Sequence, residues 1–247
     1  MPAPSRSLEN TVIAITGAGG GIGGATARLA LEAGARVVAS DLSTSDLGAL
    51  QVEWGQDRLT IATGDVRVED TSDSIIECAV RSFGRIDSVV ANAGVGFYGG
   101  LLDVSADQLR LMAEVNILGT VWLARAALRQ FRVQGDGGDI VIIGSVAGLL
   151  IGGGQEAVYA ATKGAQINLG HALDRELRSE GVRTTVIAPA GVNTPFAAGD
   201  GRFGDGDPAD GPFMQPQDIA GAIVYTLSQP RRMRTELWTM WSLAEQH

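Results

Sequence analysis

Residues 11–35 read TVIAITGAGGGIGGATARLALEAGA, and the order of residue types along them decides the fold. The β-branched run 11–15 suits an extended strand, and the Ala/Leu-rich stretch 23–33 suits a helix. Between them lies a turn crowded with glycine: Thr16-Gly17-Ala18-Gly19-Gly20-Gly21-Ile22-Gly23. Where a strand feeds a helix through such a turn, backbone N–H groups and the helix dipole face an anion. A Cβ at those glycines would block the approach of a pyrophosphate. The same glycines would also serve a plain tight turn, so the motif gains force only from what lies further along the chain.

Similar β-branched runs return near 36–39, 59–62, 88–91, 139–143 and 184–187, with longer helical patterns in the intervals. Alternation of this kind predicts an α/β fold with a parallel sheet covered by helices on both faces, because parallel strands need right-handed crossovers. The expected architecture is a doubly wound, Rossmann-type sheet. No linker-like stretch and no repeat interrupts it, so residues 1–247 are read as one domain. Residues 194–213, TPFAAGDGRFGDGDPADGPF, have no period and are expected to form a lid-like loop over the site.

Composition narrows the function classes. A chain with 19 basic and 28 acidic residues carries −9, which argues against nucleic acid or an anionic membrane as partner. With one cysteine, Cys78, and two histidines, His171 and His247, neither an internal disulfide nor a Cys/His metal cluster is expected. The N-terminal MPAPSRSLEN lacks the apolar core of a signal peptide, and no run approaches the roughly 20 apolar residues of a membrane span. A cytoplasmic protein working on small molecules is the expectation. Of the 19 basic residues, all but Lys163 are arginines.

Asp41 ends the second predicted strand, where a carboxylate can accept hydrogen bonds from both hydroxyls of an adenosine ribose and would repel a 2′-phosphate. Neither Gly20 nor Leu42 supplies the positive charge expected of an NADP site, so NAD is the expected cofactor. Asp65-Val66 and Asn92-Ala93-Gly94 follow the third and fourth strands at the carboxyl ends, where open α/β sheets bind ligands. Asn116 lies in an apolar helical stretch, where a carboxamide needs a partner or a purpose. Ser145 follows the fifth strand, and Tyr159 and Lys163 stand four apart in Tyr-Ala-Ala-Thr-Lys, which on a helix places them on one face. An ammonium beside a phenol favours the phenolate, and a compact ammonium suits ribose hydroxyls better than a planar guanidinium.

Taken in order, the turn from Thr16 to Gly23, Asp65, Asn92-Ala93-Gly94, Asn116, Ser145, Tyr159 and Lys163 resemble the motifs of the single-domain branch of the short-chain dehydrogenase/reductase family, over residues 11 to about 224. The resemblance implies an oxidoreductase in which Tyr159 is the acid/base, Ser145 holds the reacting oxygen, Lys163 binds the nicotinamide ribose and Asn116 supports a proton-relay water. Gly17, Gly19, Gly20, Gly21, Ile22, Gly23, Asp41, Asp65, Val66, Asn92, Ala93, Gly94, Pro189, Val192 and Thr194 would join Tyr159 and Lys163 in holding NAD. It also implies a homo-oligomer, a tetramer before a dimer, built on the helices near 108–131 and 158–179. The chain departs from the family pattern at Pro189-Ala190-Gly191, where Pro-Gly is usual. Residues 227–236 look like the subgroup acting on hydroxy acids and serine-like substrates, which often prefers NADP. The apolar residues flanking the site favour a neutral secondary alcohol or ketone. Two other readings are a binding module that senses NADH without turnover and an S-adenosylmethionine-dependent methyltransferase, which would have no need of the Tyr159–Lys163 pair.

Overall fold

The computed structural model describes residues 6–43, 45–149, 154–198 and 213–244. Most of the expected lid, residues 199–212, and residues 150–153 of the glycine-rich stretch before Tyr159 lie outside that set. Seven parallel strands form one sheet in the order β3-β2-β1-β4-β5-β6-β7. They are β1 (Val12–Thr16), β2 (Arg36–Asp41), β3 (Leu59–Thr63), β4 (Ser88–Ala91), β5 (Gly138–Ile143), β6 (Val182–Pro189) and β7 (Leu237–Met240). The crossovers contain α1 (Gly21–Glu32), α2 (Ser45–Trp54), α3 (Glu69–Phe83), α4 (Ala106–Met112), α5 (Gly119–Gln134), α6 (Ala157–Leu177), α7 (Pro195–Ala198) and α8 (Pro216–Leu227).

Alternation along β1 shows why helices are needed on both sides. Ile13 and Ile15 join the cluster that includes Leu31 of α1, Leu47 of α2 and Ile219, Ile223 and Leu227 of α8. Val12 and Ala14, pointing the other way, join Ile75 of α3, Leu123 and Phe131 of α5, and Ile167 of α6. A strand apolar on both faces has no side to offer solvent, so the sheet is buried between two helical layers. Strand order reverses between β1 and β4, which opens a crevice at the carboxyl ends of the central strands.

The doubly wound sheet therefore agrees with the sequence expectation, with two additions. Expected strands began and ended within about two residues of the observed ones, but β7 was not expected. Its four residues sit at the sheet edge beside β6 and are mostly half-buried, without the apolar run that marks the central strands. The other addition lies between α4 and α5: residues Ala113–Leu118 form a π-helical segment, so that one continuous helix runs from 106 to 134 with a bulge in it. By length and mean hydropathy alone, this helix could cross a membrane, although it holds no run of about 20 apolar residues. Half of its most apolar window is buried inside the molecule, where α5 packs on α3 and β4, which is the behaviour of a core helix.

Candidate active site

The carboxyl ends of β1, β2, β4, β5 and β6 border a cavity of about 560 Å³. At its floor is the glycine turn. Gly17 has φ +65°, and a Cβ there would lie 2.8 Å from the Asn92 Nδ2. A Cβ on Gly23 would lie 2.1 Å from the Gly17 carbonyl oxygen, so the close approach of α1 to the strand end depends on glycine at that position. Asn92 donates from Nδ2 to the carbonyls of Thr16 (2.9 Å) and Gly17 (3.1 Å). Its carboxamide thus holds the turn in place, while Asn92 itself lines the cavity. Gly20, Gly21 and Ile22 line the cavity at the start of α1. The first turn of that helix holds no acidic residue, and no side chain caps it. Its N–H groups and dipole therefore favour an anion.

At one end of the cavity, Asp41 closes β2. Its Oδ2 accepts from the Gly19 N–H (2.8 Å) and its Oδ1 from the Leu42 N–H (2.7 Å), which fixes the carboxylate in the cavity wall. Gly19 itself does not line the cavity. Its contribution is this N–H and the absence of a Cβ, which would lie 2.9 Å from the Asp41 Oδ2. Asp65, Val66, Ala93 and Gly94 line the cavity as expected. Arg67 does too, and the sequence reading overlooked it when it found no positive charge at Gly20 or Leu42. The Arg67 Nε donates to the Asp65 Oδ2 (2.8 Å), and its hydrogen bonds hold the Asp65 carboxyl below the ordinary carboxylate range.

At the other end, Ser145 follows β5 and Tyr159 and Lys163 project from α6; all three are buried and line the cavity. The Ala147 N–H donates to the Ser145 Oγ (3.2 Å), which leaves that oxygen with a proton of its own to donate. The Lys163 Nζ lies 5.7 Å from the centre of the Tyr159 ring and donates to the Ile143 carbonyl (3.0 Å) at the end of β5. Burial lowers the Lys163 pKa from 10.5 to about 7. Tyr98 and Phe196 flank the Tyr159 ring, with centroids 5.5 and 6.0 Å away. Pro189, Ala190, Val192 and Thr194 form the remaining wall. Despite Ala190 in place of the usual glycine, the backbone here stays registered to β7 through the Ala190 N–H on the Met240 carbonyl (2.9 Å).

Asn116 does not line the cavity; it stands behind it, fully buried in the π-helical segment. Its Oδ1 accepts from the Val95 N–H (2.9 Å), and its Nδ2 donates to the Val95 carbonyl (2.9 Å) and to the Thr162 Oγ1 (3.0 Å). Thr162 donates in turn to the Tyr159 carbonyl (2.8 Å). The carboxamide therefore ties the loop after β4 to the turn of α6 that presents Tyr159. Thr162 was not singled out from the sequence, although a hydroxyl three residues after Tyr159, on the same helix face, was the available signal.

A charged end with Asp41, Asp65 and Arg67, an anion-favouring centre and a buried Ser–Tyr–Lys end make a cleft suited to an extended, dinucleotide-sized ligand and a proton-transfer step. Comparison with known proteins agrees. Residues 11–202 match the short chain dehydrogenase family. An oxidoreductase of Staphylococcus aureus (strain MRSA252) is 33% identical over 226 residues, covering 92% of this chain and 94% of the relative. Among solved structures, 3-ketoacyl-(acyl-carrier-protein) reductase from Brucella melitensis, complexed with NADH, superposes with a TM-score of 0.85 at 28% identity, covering 95% of this chain and 97% of that one. A serine dehydrogenase complexed with NADP+ superposes with a TM-score of 0.89 at 26% identity, covering 96% and 97%. The chain belongs to the short-chain dehydrogenase family of oxidoreductases.

Proposed function

We propose that this protein moves a hydride between NAD(H) and a secondary alcohol or ketone, with Tyr159 as the acid/base. The observation that carries the reading is the burial of Tyr159 and Lys163 together at one end of the cleft, with the ammonium 5.7 Å from the ring centre. The chain's residues fit a nicotinamide dinucleotide. A Cβ added at Gly20 would meet nothing within 4 Å, so the turn has open space where a pyrophosphate would lie against the uncapped start of α1. When bound, the nicotinamide ring supplies or accepts the hydride. Tyr159 exchanges a proton with the substrate oxygen, Ser145 donates a hydrogen bond to that oxygen, and the Lys163 ammonium favours the phenolate.

NAD is proposed over NADP because Asp41 holds its carboxylate in the wall at the adenosine end, where a 2′-phosphate would meet like charge. Arg67 does not reverse this, since its guanidinium is paired with Asp65 and lies 3.7 Å from Glu114. The serine dehydrogenase likeness raises a hydroxy-acid substrate as the second reading. Against it, Lys163 is the only charged side chain at the catalytic end among the described residues lining the cavity, so a carboxylate would have no dedicated partner. Val95 and Phe196, which pack beside Tyr159, line that end and suit a neutral, apolar substrate.

Calorimetric titration with NADH and NADPH tests the cofactor assignment. NADH should bind at least about tenfold more tightly, and Asp41→Ala should lower NADH affinity by about 1.5 to 3 kcal/mol while narrowing the gap. Equal affinities in the unmutated protein would refute the assignment.

A further inference from the structure

We infer that Phe196, seated in the space left by the absent side chain of Gly96, is a specificity-determining residue that admits only a methyl-sized substituent on one side of the substrate carbonyl. The inference rests on the ketone reading above and deepens it, from secondary alcohols and ketones in general to methyl ketones and their alcohols.

Three aromatic rings meet at the proton donor, since Tyr98 and Phe196 flank Tyr159. Their supports differ. Tyr98 stands on the loop after β4, which the Gly99 N–H ties to the Gln155 carbonyl just before α6 (2.7 Å). Phe196 stands on the short α7 after β6 and lines the cavity together with Ser145, Tyr159 and Val192. The chain leading into α7 is anchored. The Asn193 N–H donates to the Met214 carbonyl (2.8 Å), and the Met214 N–H donates to the Gly191 carbonyl (3.0 Å). Thr194 rests on the glycine turn, where a Cβ on Gly21 would lie 3.2 Å from its Cγ2. Phe196 therefore reaches the cavity from a fixed start.

Gly96 explains how the ring comes so close. A Cβ there would lie 2.8 Å from the Phe196 Cζ, and 3.2 and 3.3 Å from the Tyr159 Cδ2 and Cε2. Its φ is not positive, so the backbone at this position does not call for glycine; the ring contact does. Cε2 is bonded to the carbon that carries the hydroxyl. The tip of the Phe196 ring thus stands beside the edge of Tyr159 from which the proton leaves. A carbonyl oxygen held by Tyr159 and Ser145 sends two substituents from its carbon to either side. On the Phe196 side a rigid ring fills the space, so the small substituent goes there and the long one goes to the other.

Methyl hexyl ketone and propyl butyl ketone are isomers that differ only in where the carbonyl stands. In either reduction the carbonyl carbon takes a hydride from NADH and the oxygen takes a proton from Tyr159. The products are the alcohol, NAD+ and a phenolate that regains its proton from water. The test is kcat/KM for both ketones, with NADH affinity by calorimetry, in the unmutated full chain, Phe196→Ala, Phe196→Leu, Gly96→Ala and the double variant Gly96→Ala/Phe196→Ala. The unmutated protein should prefer methyl hexyl ketone by about tenfold or more, the scale on which a packed pocket rejects added methylenes. Phe196→Ala should cut that preference at least about fivefold, and Phe196→Leu, which keeps part of the bulk, should cut it less. Gly96→Ala should act in the same direction, because the added methyl displaces the far end of the partly exposed Phe196 more readily than the buried Tyr159. The double variant should show no more than the Phe196→Ala effect, because Gly96 acts through Phe196. Phe196→Ala decides the matter alone should Gly96→Ala not fold.

Equal loss of activity toward both ketones in Phe196→Ala would reduce Phe196 to a packing support of Tyr159 and overturn the inference. NADH affinity weakened by more than about tenfold in that variant would place Phe196 against the cofactor instead, and would overturn it too. Additive effects in the double variant would separate Gly96 from Phe196 and overturn the seating on which the inference stands. No preference between the ketones in the unmutated protein would sink the inference and leave the oxidoreductase reading standing. An unmutated protein that binds NADH but reduces neither ketone would bring down the ketone reading, and this inference with it.

Discussion

Lys163 is the only lysine in the chain, and its spacing from Tyr159 was legible in the sequence; its burial was not. Burial is what makes the residue sensitive to pH, since desolvation lowers its pKa from 10.5 to about 7. Below pH 7 the folded and the unfolded chain both carry the proton, and the folded state bears the full desolvation cost. Between about 7 and 10.5 the folded protein has released the proton while the unfolded chain retains it, so stability rises with pH through that window. Lys163→Met has no such titration. In the nucleotide-free protein, the unfolding free energy of the unmutated chain relative to Lys163→Met should increase from pH 6 to pH 10, as read by urea denaturation at each pH. A difference that stays flat or falls would mean that the buried ammonium is already compensated in the folded state. Other residues of the site were legible by type but not by partner. The purpose of the buried Asn116 is visible only once Val95, 21 residues away, and Thr162, 46 away, are brought beside it.

At the scale of elements, the strands of the sheet interior announced themselves because each is buried on both faces and is therefore a short apolar, β-branched run. The edge strand β7 did not, since Leu237–Met240 is only partly covered and needs no such run. The π-helical bulge at Ala113–Leu118 was also illegible, because its apolar pattern is that of an ordinary helix and the Asn116 bonds to the facing loop that accompany it join residues far apart in the chain. Contact between Val146–Leu149, a 3₁₀ turn after β5, and α6 shows how one missing side chain positions the helix that carries Tyr159 and Lys163. A Cβ on Gly148 would lie 2.5 Å from the Lys163 carbonyl carbon and 2.6 Å from the Gly164 nitrogen, both backbone atoms that cannot swing aside. Gly148→Ala should therefore push α6 outward, destabilise the protein by about 1 to 3 kcal/mol and cut turnover at least about tenfold. Denaturant midpoints and steady-state rates for the pair of proteins check this. Near-unmutated values for both would show that the turn and helix part without consequence.

For the whole molecule, the order β3-β2-β1-β4-β5-β6-β7 places an acidic end with Asp41 and Asp65 and a buried Tyr–Lys end on opposite sides of one glycine turn. The doubly wound parallel sheet behind that arrangement was readable from the β-α alternation, because parallel strands need right-handed crossovers, but the strand order and β7 were not. Substrate identity was not readable, since it is set by side chains brought together from distant positions, such as Val95 and Phe196 beside Tyr159. The central claim is that Tyr159 transfers the proton while the rest of the cleft holds the nucleotide, and Tyr159→Phe separates the two functions. The measurement is NADH affinity by calorimetry, paired with NADH oxidation across a panel of apolar ketones, for the unmutated protein and the variant. The account predicts NADH affinity within about threefold of the unmutated value and a kcat lower by about 10²- to 10⁴-fold or more on every ketone the unmutated protein reduces. A Tyr159→Phe protein that binds NADH and still reduces those ketones at near-unmutated rates would contradict it.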